Sequence, residues 1–301
     1  MNPLTLSYNR HAYLIECLAQ RGDPLAASEH FALYQLESPD PELEPELVLV
    51  HHFAARAIDN NVGYFVANEL LPLLGTDRQA DFEHLVGAIV RSTDCSEQRA
   101  WWRFYDNTLA ALARVSDTVG HDFIAPFGAI YRQVMQLTLG HSLLDVGTCF
   151  GFLPLLFARS DLLFDLCDGS VKLARIVGCD LDYALVRLAN GYAASRQFAH
   201  VSFAVADVLA PESARLGTFD TVTAIHLLEH LPPEQTRSAV EQLWQRTNQR
   251  LIISVPLEET PDPRFGHLQV FDQERLLALG RELSPHCRYF EFHGGWLLID
   301  K

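Results

Sequence analysis

His141–Phe157 reads HSLLDVGTCFGFLPLLF. Ser142, Leu143 and Leu144 run into Asp145, a turn Gly147-Thr-Cys-Phe-Gly151 follows, and an apolar run closes the stretch. Such a pattern predicts a buried strand, a tight turn and the start of a helix. In an open α/β sheet a nucleotide-like ligand sits at this place, outside the carboxyl end of the first strand. Gly147 and Gly151 let the backbone turn sharply and approach a ligand closely. The N–H groups at the helix start would face a carboxylate or a phosphate.

An ordinary βα turn would carry similar letters, so the segments downstream decide. Ala174–Asp182, ARIVGCDLD, predicts a second apolar strand ending in Asp180. A carboxylate at that tip accepts the two hydroxyl protons of a ribose diol. Val201–Leu209, VSFAVADVL, predicts a third strand ending in Asp207. Phe219–Leu231, FDTVTAIHLLEHL, predicts a fourth that runs into a polar cluster, and Leu251–Pro256, LIISVP, a fifth. Cys287–His293 and Trp296–Asp300 flank Gly294-Gly295 and predict a closing hairpin.

This order of strands and acids resembles the class I S-adenosylmethionine-dependent methyltransferases over Phe127 to Lys301. The resemblance implies an α/β fold, a Rossmann-like seven-stranded sheet. It also implies S-adenosyl-L-methionine as cofactor. Asp145, Gly147 and Gly151 would hold its methionine part, Asp180 its ribose and Asp207 its adenine, with Leu181 and Val208 beside those acids in the same binding set. Two departures stand out. Cys149 occupies the middle of the turn, where the family has glycine, and Asp180 lies beyond the roughly twenty residues usual between turn and ribose acid. Ser160–Val171 reads as the insertion responsible. A nicotinamide dehydrogenase would need Gly-x-Gly-x-x-Gly, which the Gly147-x-x-x-Gly151 spacing does not supply.

The fourth strand is followed by His226-Leu-Leu-Glu229-His230, and the fifth by Glu258-Glu259 and then Arg264-Phe-Gly-His267. If the first segment turns helical, its spacings of three and four put the side chains on one face. Three imidazoles and a carboxylate are a reasonable set for a divalent metal. The arrangement is similar to metal-dependent methyltransferases that modify the terminal ribose hydroxyl of small RNAs. Their motif is Glu-x-x-Glu-His with a later His. Here His226 stands in the place of the first Glu, while Glu229, His230 and His267 match. A sugar hydroxyl is a poor nucleophile near neutral pH; coordination lowers its pKa and a neighbouring His takes the proton. His226 and His230 are the catalytic base candidates, since an ordinary imidazole titrates near 6.5.

Residues 1–125 form an expected helical accessory domain and 126–301 the methyltransferase domain. His11–Gln20, Ala26–Leu36, Glu46–Ile58, Val62–Leu74, Ala80–Val90 and Glu97–Val115 show apolar residues at three- and four-residue steps, which predicts an all-helical preface. Ser38–Leu49, SPDPELEPELVL, reads as an exposed loop entering a helix. Trp101–Asn107, WWRFYDN, is either a glycan contact or, more simply, aromatic core. In the family, additions of this kind cover the site, bind substrate or form a homodimer.

A net charge of −15 opposes a nucleic-acid or anionic-membrane partner. With 49% hydrophobic and 20% charged residues the composition is that of a globular enzyme. MNPLTLSYNRH lacks the apolar core of a secretory leader and no run reaches membrane-span length, so a cytoplasmic protein is expected. The six cysteines include no Cys-x-x-Cys pair and read as free thiols, with Cys149 and Cys179 assigned to packing.

The expected function is O-methylation of a hydroxyl on a small molecule or glycan. LLDVGTCFGFLPLLFA, the long preface and FHGGW also resemble the mycofactocin-oligosaccharide methyltransferases, which implies a glucose hydroxyl as acceptor. The alternative is a non-catalytic S-adenosylmethionine-binding protein whose helical domain recruits a partner.

Overall fold

The computed structural model describes residues 13–17, 22–36, 46–114, 123–159 and 173–301. These fall into two compact units. One holds the described residues up to Ala111 with 123–124 and Pro263–Phe265; the other holds the rest.

The second unit is built on seven strands: β5 (Ser142–Val146), β6 (Arg175–Asp180), β7 (Val201–Val205), β8 (Phe219–Ile225), β9 (Thr247–Val255), β10 (Cys287–Glu291) and β11 (Gly295–Asp300). Their order is β10-β11-β9-β8-β5-β6-β7, with β11 antiparallel to both its neighbours and the other pairs parallel. The first strand of the sheet in chain order therefore lies inside it, next to the central β8, and the order reverses between β5 and β8, where the crevice of a doubly wound sheet opens. The helices of this unit are α5 (Ile124–Leu137), α6 (Phe152–Ala158), α7 (Tyr183–Ser195), α8 (Thr236–Gln245) and α9 (Gln273–Leu283). Near-continuous apolar strands are needed because both faces are covered. Leu144, Val146, Val222, Leu251, Ile253 and Val255 pack with Ala239, Val240, Leu243 and Leu276 of α8 and α9. Ile225, Ile252, Trp296 and Leu298 pack on the other face with Ile130 and Val134 of α5 and Leu153 of α6.

The first unit corrects the all-helical expectation. Helices are present from Asn61 onward: α1 (Asn61–Phe65), a π-helical segment Val66–Leu70, α2 (Leu71–Leu74), α3 (Gln79–Ser92) and α4 (Glu97–Arg114). The segments around His11–Gln20, Ala26–Leu36 and Glu46–Ile58 instead supply β1 (Tyr13–Cys17), β2 (Ala26–Ala27), β3 (Phe31–Leu36) and β4 (Glu46–His51), in the order β1-β4-β3-β2. Val48, Leu49 and Val50 are all fully buried. A short apolar run buried on every side has no period, so its letters fit helix and strand equally. The loop half of Ser38–Leu49 and the insertion Ser160–Val171 lie outside the described residues. In α4, Trp101, Phe104 and Tyr105 are core residues, which removes them as glycan contacts. Among the described residues no helix is long and apolar enough to cross a membrane.

One polar staple registers the central strands. Asp220 Oδ2, at the start of β8, accepts hydrogen bonds from His141 N (2.7 Å), Ser142 N (3.1 Å) and Ser142 Oγ (3.0 Å) at the start of β5. Those backbone donors hold its carboxyl below the usual range. Asp220→Ala leaves them without their acceptor and is expected to cost about 1–3 kcal/mol of unfolding free energy. An unchanged denaturant midpoint would remove this role.

Candidate functional site

The carboxyl ends of β5, β6 and β7 carry the residues assigned to the cofactor. Asp145 is buried beneath the turn. Its Oδ2 accepts from Thr148 Oγ1 (2.6 Å) and its Oδ1 from Thr223 Oγ1 (2.7 Å), so it braces the turn against β8. Burial pushes its carboxyl up to about 6, against the two hydroxyl donors. Gly147 has φ 72°, and a β-carbon there would come within 2.8 Å of Leu227 Cδ1. A side chain at 147 would thus press on the segment leading to Glu229 as well as strain the backbone. Gly151, also at positive φ, packs against Phe203 and Ala189. Cys149 adopts φ 50° and is exposed, so it is not the packing residue expected of it.

Asp180 ends β6 beside this turn. Its Oδ2 accepts from Cys149 N (2.8 Å) and its Oδ1 from Asp182 N (3.0 Å), which leaves each oxygen a further lone pair. Asp207 is exposed, with Oδ1 accepting from Leu209 N, while Val208 is buried in the sheet core. Leu181 and Tyr183 are each 68% exposed and Val205 50%, an apolar rim at the tips of β6 and β7.

The polar cluster forms past β8 and β9. His226 sits in a bend at φ 52°, and Leu228–His230 is a single 3₁₀ turn rather than the helix allowed by the spacing. Glu229, His230 and His267 each offer a ligand atom, and these lie within 4.8 Å of one another. The His230 and His267 rings meet edge to face at 5.0 Å. His226 stands alongside, its Nδ1 3.7 Å from Glu229 Oε1, too long for a hydrogen bond. Its ring is 5.2 Å from Phe127 of α5.

Electrostatics set this cluster apart. Glu229 is 1% exposed, and among the described residues no other residue donates a hydrogen bond to either carboxylate oxygen. Burial, aided by the charge of Glu258, pushes it up to about 8. His226 Nε2 is likewise buried and unpartnered. Burial, then the neighbouring His267 and His230, push His226 down to about 3. His230 is lowered by burial too, so these imidazoles are neutral, the form that binds a metal.

The sequence offered Glu258 and Glu259 as further carboxylates without a role for either, and it did not single out Gln269. Glu258 Oε2 bonds His267 Nδ1 at 2.8 Å, which places the ring proton there and presents Nε2 as the acceptor. Nothing in the pair Glu258-Glu259 distinguishes the one that does this. Gln269 is buried, and its amide reaches Leu228 O, Leu231 O and Thr236 Oγ1. Its only sequence signal is nearness to His267. From α5, the Tyr131 phenol is raised by burial and then by the charges of Asp145 and Cys149.

Residues 144–249 match the family model described as a methyltransferase domain. No curated protein matches. Among solved structures, the N-terminal domain of EvdMO1 with SAH bound is 18% identical, with 57% of this chain and 79% of that one covered at a TM-score of 0.42. An O-methyltransferase family protein from Burkholderia thailandensis is 14% identical, covering 70% and 62% at 0.47. The small RNA methyltransferase HEN1 is 14% identical, covering 57% and 24% at 0.45. Likeness at this level says nothing about the acceptor. Residues 144–249 thus carry a methyltransferase domain.

The raised carboxyl of Glu229 has a consequence for the metal-free protein. Between the ordinary carboxyl value of 4.5 and about 8 the folded state keeps a proton that the unfolded state releases, so stability falls as pH rises through that window. Glu229→Gln is expected to flatten this slope and to stabilise the chelated protein at pH 8 by at least about 1 kcal/mol. Parallel pH–stability curves for the two proteins would contradict it.

Proposed function

We propose that the protein transfers the methyl group of S-adenosyl-L-methionine to a hydroxyl oxygen of a small molecule or glycan, with a divalent cation at Glu229, His230 and His267. The observation that carries the reading is the buried carboxylate of Glu229, without a donor and next to neutral imidazoles. A carboxylate in that position asks for a cation, and the imidazoles of His230 and His267 lie close enough to offer it lone pairs. A set rich in imidazole favours Mn²⁺, Co²⁺ or Zn²⁺ over Mg²⁺. Such an ion supplies Lewis acidity that lowers the pKa of an alcohol.

The chain's own residues do the rest. Asp180 accepts from the ribose hydroxyls, and Asp207 meets the adenine between the apolar groups of Leu181, Tyr183 and Val205. Asp145, Gly147 and Gly151 shape the turn that receives the methionine end. S-adenosylmethionine supplies an activated methyl group. His226 takes the hydroxyl proton at Nε2; His230 is the second candidate only where no cation holds its lone pair. At about 3, His226 is a weak base, which is why the hydroxyl must first be made more acidic. A histidine base beside a cation site favours oxygen over carbon as the methylated atom, and the acidic balance of the chain opposes RNA. The sequence resemblance makes a glucose hydroxyl of the mycofactocin oligosaccharide the first acceptor to assay.

Asp180→Ala is expected to weaken S-adenosylmethionine binding by about 1.5–3 kcal/mol in calorimetry, and undiminished affinity would remove the ribose assignment. His226→Ala is expected to lower turnover roughly a hundred- to ten-thousandfold with cofactor binding kept. Chelation should abolish transfer of labelled methyl groups to hydroxyl acceptors, and Mn²⁺ or Co²⁺ should restore it. Transfer that survives chelation would take the cation out of the reading. An absence of transfer, with the cofactor still bound, would favour a non-catalytic binding protein.

A further inference from the structure

We infer that Gln269 is a positioning residue for the Glu229–His230–His267 cluster, holding the two loops that carry these side chains in register. The inference rests on the cluster being the reactive centre; it does not require that a cation occupy it.

The turn Leu228–His230 satisfies only part of its own carbonyls, with Leu231 N reaching Leu228 O at 3.2 Å. It is also buried, so those carbonyls need donors from elsewhere. The segment after His267 supplies them. Leu268 N donates to Glu229 O at 2.7 Å. Gln269 Nε2 shares its two protons among Leu228 O (2.8 Å), Leu231 O (2.7 Å) and Thr236 Oγ1 (2.8 Å). One amide therefore brackets the turn on both sides of Glu229 and His230, from a position two residues past His267.

The amide is itself fixed. Gln269 is 5% exposed, and its Oε1 accepts from Arg275 Nη2. Arg275 donates Nη1 to Val270 O (2.8 Å) and stacks its guanidinium 4.4 Å over the Phe271 ring. An anchored amide of this kind does more than fill space. A leucine of similar size would leave Leu231 O without its side-chain donor and Leu228 O with only the Leu231 N–H at 3.2 Å, and the turn would relax away from the His267 loop.

The test compares full-length protein with Gln269→Leu and with Arg275→Met, a milder variant that loosens the amide from its anchor. Two readouts are taken: Co²⁺ affinity with its visible spectrum, and imidazole NMR signals of the metal-free protein. Gln269→Leu is expected to shift the His230 and His267 signals and lower Co²⁺ affinity about 10- to 100-fold. His51, in the other unit, and S-adenosylmethionine affinity should stay unchanged. Arg275→Met should move the same signals by less, and it decides the matter if Gln269→Leu does not fold. Folded variants with wild-type His230 and His267 signals would overturn the inference. Wild-type protein that takes up no Co²⁺ would sink the cation reading alone, since the imidazole signals still decide the role of Gln269.

Discussion

Glu229 places a carboxyl group inside the protein, at the carboxyl edge of the sheet, with no donor from any other described residue on either oxygen. Burying an unpaired charge is among the costliest things a fold can do, and the group answers by keeping its proton to about pH 8. Around it the chain spends further polar groups. His226 is held in a left-handed backbone conformation, His267 is oriented by Glu258, and the carbonyls on either side of Glu229 are tied down by one glutamine. A stable core alone would have placed leucines there.

The sheet explains why these groups meet. β8 and β9 are adjacent and parallel, so the segments following them emerge side by side. β5 lies on the other side of β8, and its glycine turn brings Leu227 against Gly147. Asp180, at the end of β6, is near enough to His230 to influence its protonation. The residues assigned to the cofactor and those assigned to the acceptor thus share one edge. The same strand order that buries the apolar faces also sets the distance between them.

Much of this was legible in the letters. The apolar runs leading to Asp145, Asp180 and Asp207 marked three strands, because a parallel sheet needs strands buried on both faces, while the sheet itself came with the family resemblance. His226, Glu229, His230 and His267 stood out as residue types at the ends of two adjacent strands. The 3₁₀ turn was not legible, since the same spacing suits a helix. Glu258 could not be told from Glu259, and Gln269 carries no chemical signal until its carbonyl partners are seen. The strands before Asn61 were missed because Val48-Leu49-Val50 is aperiodic, and neighbouring apolar steps imitate a helical face.

The most direct measurement is anomalous diffraction from crystals soaked with Mn²⁺ and S-adenosylhomocysteine. The account predicts one manganese peak about 2.0–2.3 Å from a Glu229 oxygen and from one nitrogen each of His230 and His267. It also predicts the Asp180 carboxylate on the ribose diol of the bound nucleoside. A map with the nucleoside in place but no peak among those three side chains, or with the manganese elsewhere, would contradict it.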